Sequence, residues 1–130
     1  MNFTKSKFKP TDAELEILRV LWKEGGSTVR LINEILNASR EVGYTTTLKI
    51  LQIMEQKAMV KVDRSSRTHL YTAIIREDET QKHLLDELLE SAFGGSAKKL
   101  VMQALGNNKT SQKELDEIKN LIKQLEGGKQ

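Results

Sequence analysis

Four residues in the stretch "GYTTTLKILQIMEQKAMV" have side chains suited to the edges of DNA base pairs. Thr45, Lys49, Gln52 and Gln56 recur at steps of 4, 3 and 4, so on a helix of 3.6 residues per turn they share one face. Lysine donates to guanine O6 and N7, glutamine pairs with adenine N6 and N7, and threonine bonds a base or packs its methyl on thymine. No acid joins this face until Glu55 at its edge. Thr45, Thr46 and Thr47 stand in a row ahead of the helix, where one capping residue and better helix formers would serve stability alone. Short hydroxyls and free backbone N–H groups at a helix start can instead hold a phosphate, favoured there by the helix dipole. A solvated polar face with Thr45 as an ordinary cap is the alternative, and the face alone does not decide between them.

A second group tilts the balance. Arg64 and Arg67 bracket the serines of a "DRSSR" turn, with Lys61 just before it. Guanidiniums at such a tip suit phosphate contacts, which position a protein on DNA without reading sequence. Exposed arginines in a turn are also ordinary surface; their place directly after the candidate reading helix favours the functional reading.

Other chemistries find no support. The chain has no cysteine, so disulfides, thiolate metal sites and cysteine nucleophiles are excluded. His69 reads as a surface strand residue, and His83 with Asp86 and Glu87 as one turn of an acidic helix without a ligand from another element. "FGGSA" is a helix stop and restart, too short for a phosphate loop, and no Ser-His-Asp set or carboxylate pair stands out. We therefore expect no catalytic residues, no metal and no cofactor.

The elements that must position these residues follow from periodicity. Thr11 with Glu14 forms a capping box, Leu15, Leu18, Leu21 and Trp22 follow at helical spacing, and Gly25 and Gly26 end the helix. Ser27 is the expected cap of a second helix with Val29, Ile32, Ile35 and Leu36 on its apolar face. A third runs from about Thr45 to Lys57 and packs through Thr47, Leu51, Met54 and Ala58. Alternation then takes over, with Val60 and Val62 before the polar turn and Leu70 and Tyr71 after it, the pattern of a hairpin. Three helices and a hairpin is the order of a winged helix-turn-helix domain.

Charge and composition change after Ile75. Residues 1–75 hold 12 Lys or Arg against 8 Asp or Glu, a balance of +4, whereas residues 76–130 hold 9 against 10, a balance of −1. The basic part is the one expected to meet a polyanion. The later part predicts three helices. The first carries Leu84, Leu85, Leu88, Leu89 and Ala92; "SAKKLVMQAL" starts at Ser96; the last opens on a second box, Ser111 with Glu114. Leu115, Ile118, Leu121, Ile122 and Leu125 form its stripe. Such stripes exceed the faces one small domain offers, so a second copy of the chain is the expected cover. The domains are thus a winged helix over 1–75 and a helical dimerisation module over 76–130. No apolar run approaches the roughly 18 residues of a membrane span, and "MNFTKSKFKP" lacks a signal-peptide core, so a cytoplasmic protein without membrane insertion is expected.

"PTDAELEILRVLWKEGGSTVRLINEIL", "GYTTTLKILQIMEQKAMV", the wing ending "HLY" and "FGGSAKKLVMQAL" together resemble the penicillinase-repressor family, the BlaI/MecI type of bacterial transcription repressor, from about Lys9 to Leu125. The resemblance implies a homodimer on a palindromic operator, with interlocked C-terminal helices, released when a membrane-bound sensor metalloprotease triggers cleavage. Gln103 and Ala104 stand where the family has its cleaved Asn-Phe pair. Ile53 replaces a residue that is often basic, and Ala58 one that is usually glycine. The cysteines of a copper-responsive branch are missing.

The combined expectation is a mainly α protein with a small β-hairpin wing, in which Thr45, Thr46, Lys49 and Gln52 face the major groove and Tyr44, Arg64 and Arg67 anchor phosphates. Leu84, Leu88 and Phe93, then Leu100, Val101 and Leu105, then the stripe from Leu115 to Leu125 are expected to hold the dimer. A winged helix that has become a protein-interaction adaptor, without sequence-specific DNA binding, is the alternative.

Overall fold

Thr11 opens the first helix, α1 (Asp12–Glu24), with both halves of the expected box: its hydroxyl accepts from the Glu14 N–H at 3.1 Å, and the Glu14 carboxylate accepts from the Thr11 N–H at 2.9 Å. The computed structural model describes residues 9–107 and 109–128. Gly25 ends α1 at φ 81° and ψ −155°, a backbone region open almost only to glycine.

The second helix, α2 (Val29–Asn37), is capped by Thr28, whose hydroxyl accepts from the Leu31 N–H at 3.0 Å. Ser27, the expected cap, is instead buried and paired with the wing, its N–H donating to the Tyr71 carbonyl and its carbonyl accepting from the Tyr71 N–H, at 2.9 and 2.8 Å. Two adjacent hydroxyl residues divide the work, because the long-range pairing takes the first and leaves the second at the helix start.

The third helix, α3 (Tyr44–Gln56), starts one residue before the expected Thr45; Gly43 is its N-cap and makes no side-chain capping bond. At its other end the Met59 N–H bonds the Met54 carbonyl at 2.9 Å and the Ala58 N–H bonds that of Glu55 at 3.0 Å, the two bonds of a Schellman turn. Ala58 is therefore exposed at φ 62°, not on the packed face where period 3.6 places it, and Met59 takes the buried position. A left-handed conformation costs an L-residue about 1–2 kcal/mol, less the flexibility glycine adds to the unfolded chain. Ala58→Gly is accordingly expected to stabilise the fold by about 0.5–1 kcal/mol, read as a raised midpoint in thermal or urea unfolding; an unchanged or lower midpoint would contradict the assigned turn.

Strands β1 (Val60–Asp63) and β2 (Leu70–Ala73) pair antiparallel, Val60 opposite Ala73 and Asp63 opposite Leu70, with Ser27 bridging onto β2. Ile17, Leu18 and Leu21 of α1 join Ile32 and Leu36 of α2, Leu51 and Met54 of α3, and Met59, Val60 and Tyr71 in one buried core. Trp22 covers its edge, its indole N–H donating to the Ile75 carbonyl at 3.0 Å. This is the winged helix-turn-helix arrangement: three helices and a hairpin around one core.

The chain divides into two units, one ending at Leu85 and the other beginning at Asp86, so the division falls within α4 (Glu77–Phe93). Beyond it lie α5 (Ala97–Gly106), capped by Ser96, and α6 (Gln112–Gly127). Ser111 caps α6 by accepting from the Glu114 N–H at 3.1 Å, but the reciprocal Glu114 bond of the expected box is not formed. No described residue of α5 or α6 is buried. No helix among the described residues is long and apolar enough to cross a membrane.

Candidate nucleic-acid interface

Helix α3 is two-sided. Thr47, Leu51 and Met54 are fully buried on one side, and Thr45, Thr46, Lys49, Gln52 and Gln56 are exposed on the other. The three threonines thus separate into two surface residues and one core residue. Gly43 makes no side-chain capping bond, so no cap side chain occupies the first backbone donors of α3, beside exposed Thr45 and Thr46.

The buried hydroxyl has a task that periodicity does not reveal. Asn33 of α2 donates from Nδ2 to Thr47 Oγ1 at 2.9 Å and to the Val42 carbonyl at 3.0 Å, while Thr47 donates to the Gly43 carbonyl at 3.2 Å. Asn37 adds bonds from Nδ2 to the Val42 carbonyl and from the Val42 N–H to its own Oδ1, at 2.8 and 3.2 Å. Two asparagines one helical turn apart thereby fix the connection between α2 and α3, and with it the direction in which α3 presents its polar face. Asparagines four apart before a short polar turn are the signal, faint beside the apolar pattern, that could have found them.

The wing residues differ in their surroundings. Arg64 binds Glu55 end-on, Nη1 to Oε2 at 3.0 Å and Nη2 to Oε1 at 2.9 Å. This bond holds the Glu55 carboxyl below its ordinary pKa and raises that of Arg64, so the lone acid at the edge of the polar face is neutralised by a partner on the wing. Arg67 instead lines a cleft of about 460 Å³ with Thr28, Arg30, Tyr44 and His69. Two guanidiniums, a phenol and the α2 start converge there, a surface suited to an anionic backbone. Burial raises the pKa of Tyr71, at the cleft floor. The candidate DNA contacts Tyr44, Thr45, Thr46, Lys49, Gln52, Arg64 and Arg67 therefore all lie on α3 or the wing, within the first unit. Among the described residues no group of three or more His, Asp or Glu could hold a metal ion.

In the second unit, apolar side chains remain in water. Leu88 of α4, Val101 and Met102 of α5, and Leu121, Ile122 and Leu125 of α6 are exposed, the last three at 53 %, 48 % and 57 %. Phe93, Leu100, Leu105, Leu115 and Ile118 are half-buried, as is Leu84 on the part of α4 belonging to the first unit.

The model of the penicillinase repressor family matches residues 10–124. A transcriptional regulator BlaI of Mycobacterium tuberculosis is 29 % identical over 119 residues, 90 % of this chain and 85 % of that protein. A penicillinase repressor of Staphylococcus aureus is 24 % identical over 114 residues, covering 87 % and 90 %, and one of Bacillus licheniformis 24 % over 115, covering 88 % and 89 %.

Proposed function

The chain belongs to the penicillinase repressor family, and from that premise we propose that it is a homodimeric transcriptional repressor that binds a palindromic operator in promoter DNA. The observation that carries the reading is the polar face of α3: Thr45, Lys49 and Gln52 exposed together, backed by fully buried Thr47, Leu51 and Met54. That face fits the major groove, while Tyr44, Arg64 and Arg67 lie where they can hold the flanking phosphates. Two copies joined through the second unit would set their α3 helices one or more duplex turns apart, about 34–36 Å per turn, and bound dimer would exclude polymerase from the promoter. The protein then works in the cytoplasm, without a cofactor.

A sensor metalloprotease would not meet the family's Asn-Phe pair in this chain, because Gln103 and Ala104 stand in its place. Gln103 and Ala104 are exposed but lie inside α5, so cutting there requires that helix to unwind locally.

Base reading and phosphate binding separate in experiment. Lys49→Ala is expected to cost roughly 1–3 kcal/mol on the operator and to relax preference at one base position. Arg67→Ala is expected to weaken all sequences alike and to lower the salt slope by about one. Fluorescence anisotropy on operator and random duplexes over a salt series measures both. Wild-type behaviour of both variants would remove α3 and the wing as the DNA-binding surface.

A further inference from the structure

The ion pair between α3 and the wing has a free side. Glu55 occupies only the end of the Arg64 guanidinium formed by Nη1 and Nη2. A guanidinium has five N–H donors and a second two-donor edge, formed by Nε and the outer hydrogen of Nη2. That edge makes no hydrogen bond among the described residues, and the Arg64 side chain is 52 % exposed. A phosphate offers the paired oxygens such an edge binds best.

We propose that Glu55 is a positioning residue for DNA: it grips one edge of the Arg64 guanidinium and so presents the other edge to a backbone phosphate. The inference rests on the DNA-binding reading above and deepens it. Glu55 lies in the last turn of α3 and Arg64 directly after β1, so the bidentate contact ties the wing to the reading helix. A flexible arginine is thereby ordered before DNA arrives, and the wing and α3 meet the duplex as one surface. Because the Arg64 bond lowers the Glu55 pKa, the pair stays charged through the neutral range and its grip does not depend on pH there. The carboxylate that would otherwise repel phosphates acts through the arginine it holds.

The sign of one substitution tests this. Removing a negative charge near DNA tightens binding if charge alone matters. With Glu55 as a positioning residue, Glu55→Gln in the full chain is instead expected to weaken binding several-fold and to lower the salt slope by about one, as Arg64→Ala does. The double variant Glu55→Gln, Arg64→Ala should bind no more weakly than Arg64→Ala alone. Arg64→Lys, which keeps the charge but has no second edge, should lose most of the same affinity. Anisotropy with a duplex selected from genomic DNA and a random duplex of equal length gives all four values. If wild type binds while Glu55→Gln binds as tightly or more tightly, or if Arg64→Lys matches wild type, the inference is overturned and the repressor reading stands. If wild type binds neither duplex, the repressor reading itself fails.

Discussion

Leu121→Asp is expected to convert the protein to monomers and to lower operator affinity by at least about 100-fold. Leu121 lies 53 % exposed at the centre of the α6 stripe, between Ile118 and Leu125. Covering such a side chain contributes about 1.5–3 kcal/mol per copy, and a two-fold interface counts it twice. A carboxylate there removes that gain and adds the cost of desolvating two charges. Operator affinity falls further because each winged helix must then find its half-site alone, without the high local concentration a tethered partner provides. Sedimentation velocity reads the assembly state, and anisotropy on whole and half operators reads the affinity. An unchanged species in the centrifuge would remove the α6 stripe from the dimer contact.

Glu14→Ala is expected to destabilise the first unit by about 2–3 kcal/mol, lowering its melting point by about 10 °C or more. The Glu14 side chain is 4 % exposed and binds both the Thr11 N–H and Lys57 Nζ, the latter at 2.8 Å, so it joins the start of α1 to the end of α3. Half-exposed Lys57 can turn to water when its partner goes, which leaves most of the loss on the α1 cap and on the buried stem of Glu14. Burial alone would push this carboxyl up, but the bonds from Lys57 and Thr11 outweigh it and hold the pKa below the ordinary 4.5. A folded pKa below the unfolded one means stability that is fully present above about pH 4.5 and lost as pH falls through the folded value. The difference between wild type and Glu14→Ala should therefore be large at pH 7 and smaller at pH 3. Urea unfolding at both values checks the sign; a gap that widens in acid would contradict it.

Local rules carried the sequence reading well where partners are close in the chain. The Thr11–Glu14 box, the α1 stop at Gly25, the two faces of α3 and the hairpin all depend on residues within a few positions of each other. The second box, Ser111 with Glu114, forms only its Ser111 half, and the larger departures fall where a distant or geometric constraint overrides spacing. Ser27 looked like a cap until Tyr71, on a strand far along the chain, claimed its backbone. Ala58 sits four residues after buried Met54, which suits a packed face, but the turn out of α3 reverses its direction and hands the core position to Met59. A glycine would adopt that left-handed turn without strain.

The candidate site was legible as a set of side chains, less so as an assembly. Helical spacing brought Thr45, Lys49 and Gln52 to one face, but nothing in spacing joins Asn33 to Thr47 or Glu55 to Arg64, because those contacts exist only after α2, α3 and the wing have packed. On spacing alone Arg64 is a phosphate anchor at the wing tip and Glu55 a boundary of the polar face; the ion pair between them forms only in the packed fold.

Sequence-specific operator binding by a dimer through α3 is tested by selecting fragments of genomic DNA with the purified protein and sequencing them. The expected result is enrichment of one palindrome whose half-sites are centred one or more duplex turns apart, about 34–36 Å per turn. Binding that weakens with salt but enriches no sequence, or no binding at all, would contradict it and leave the winged helix as an interaction adaptor.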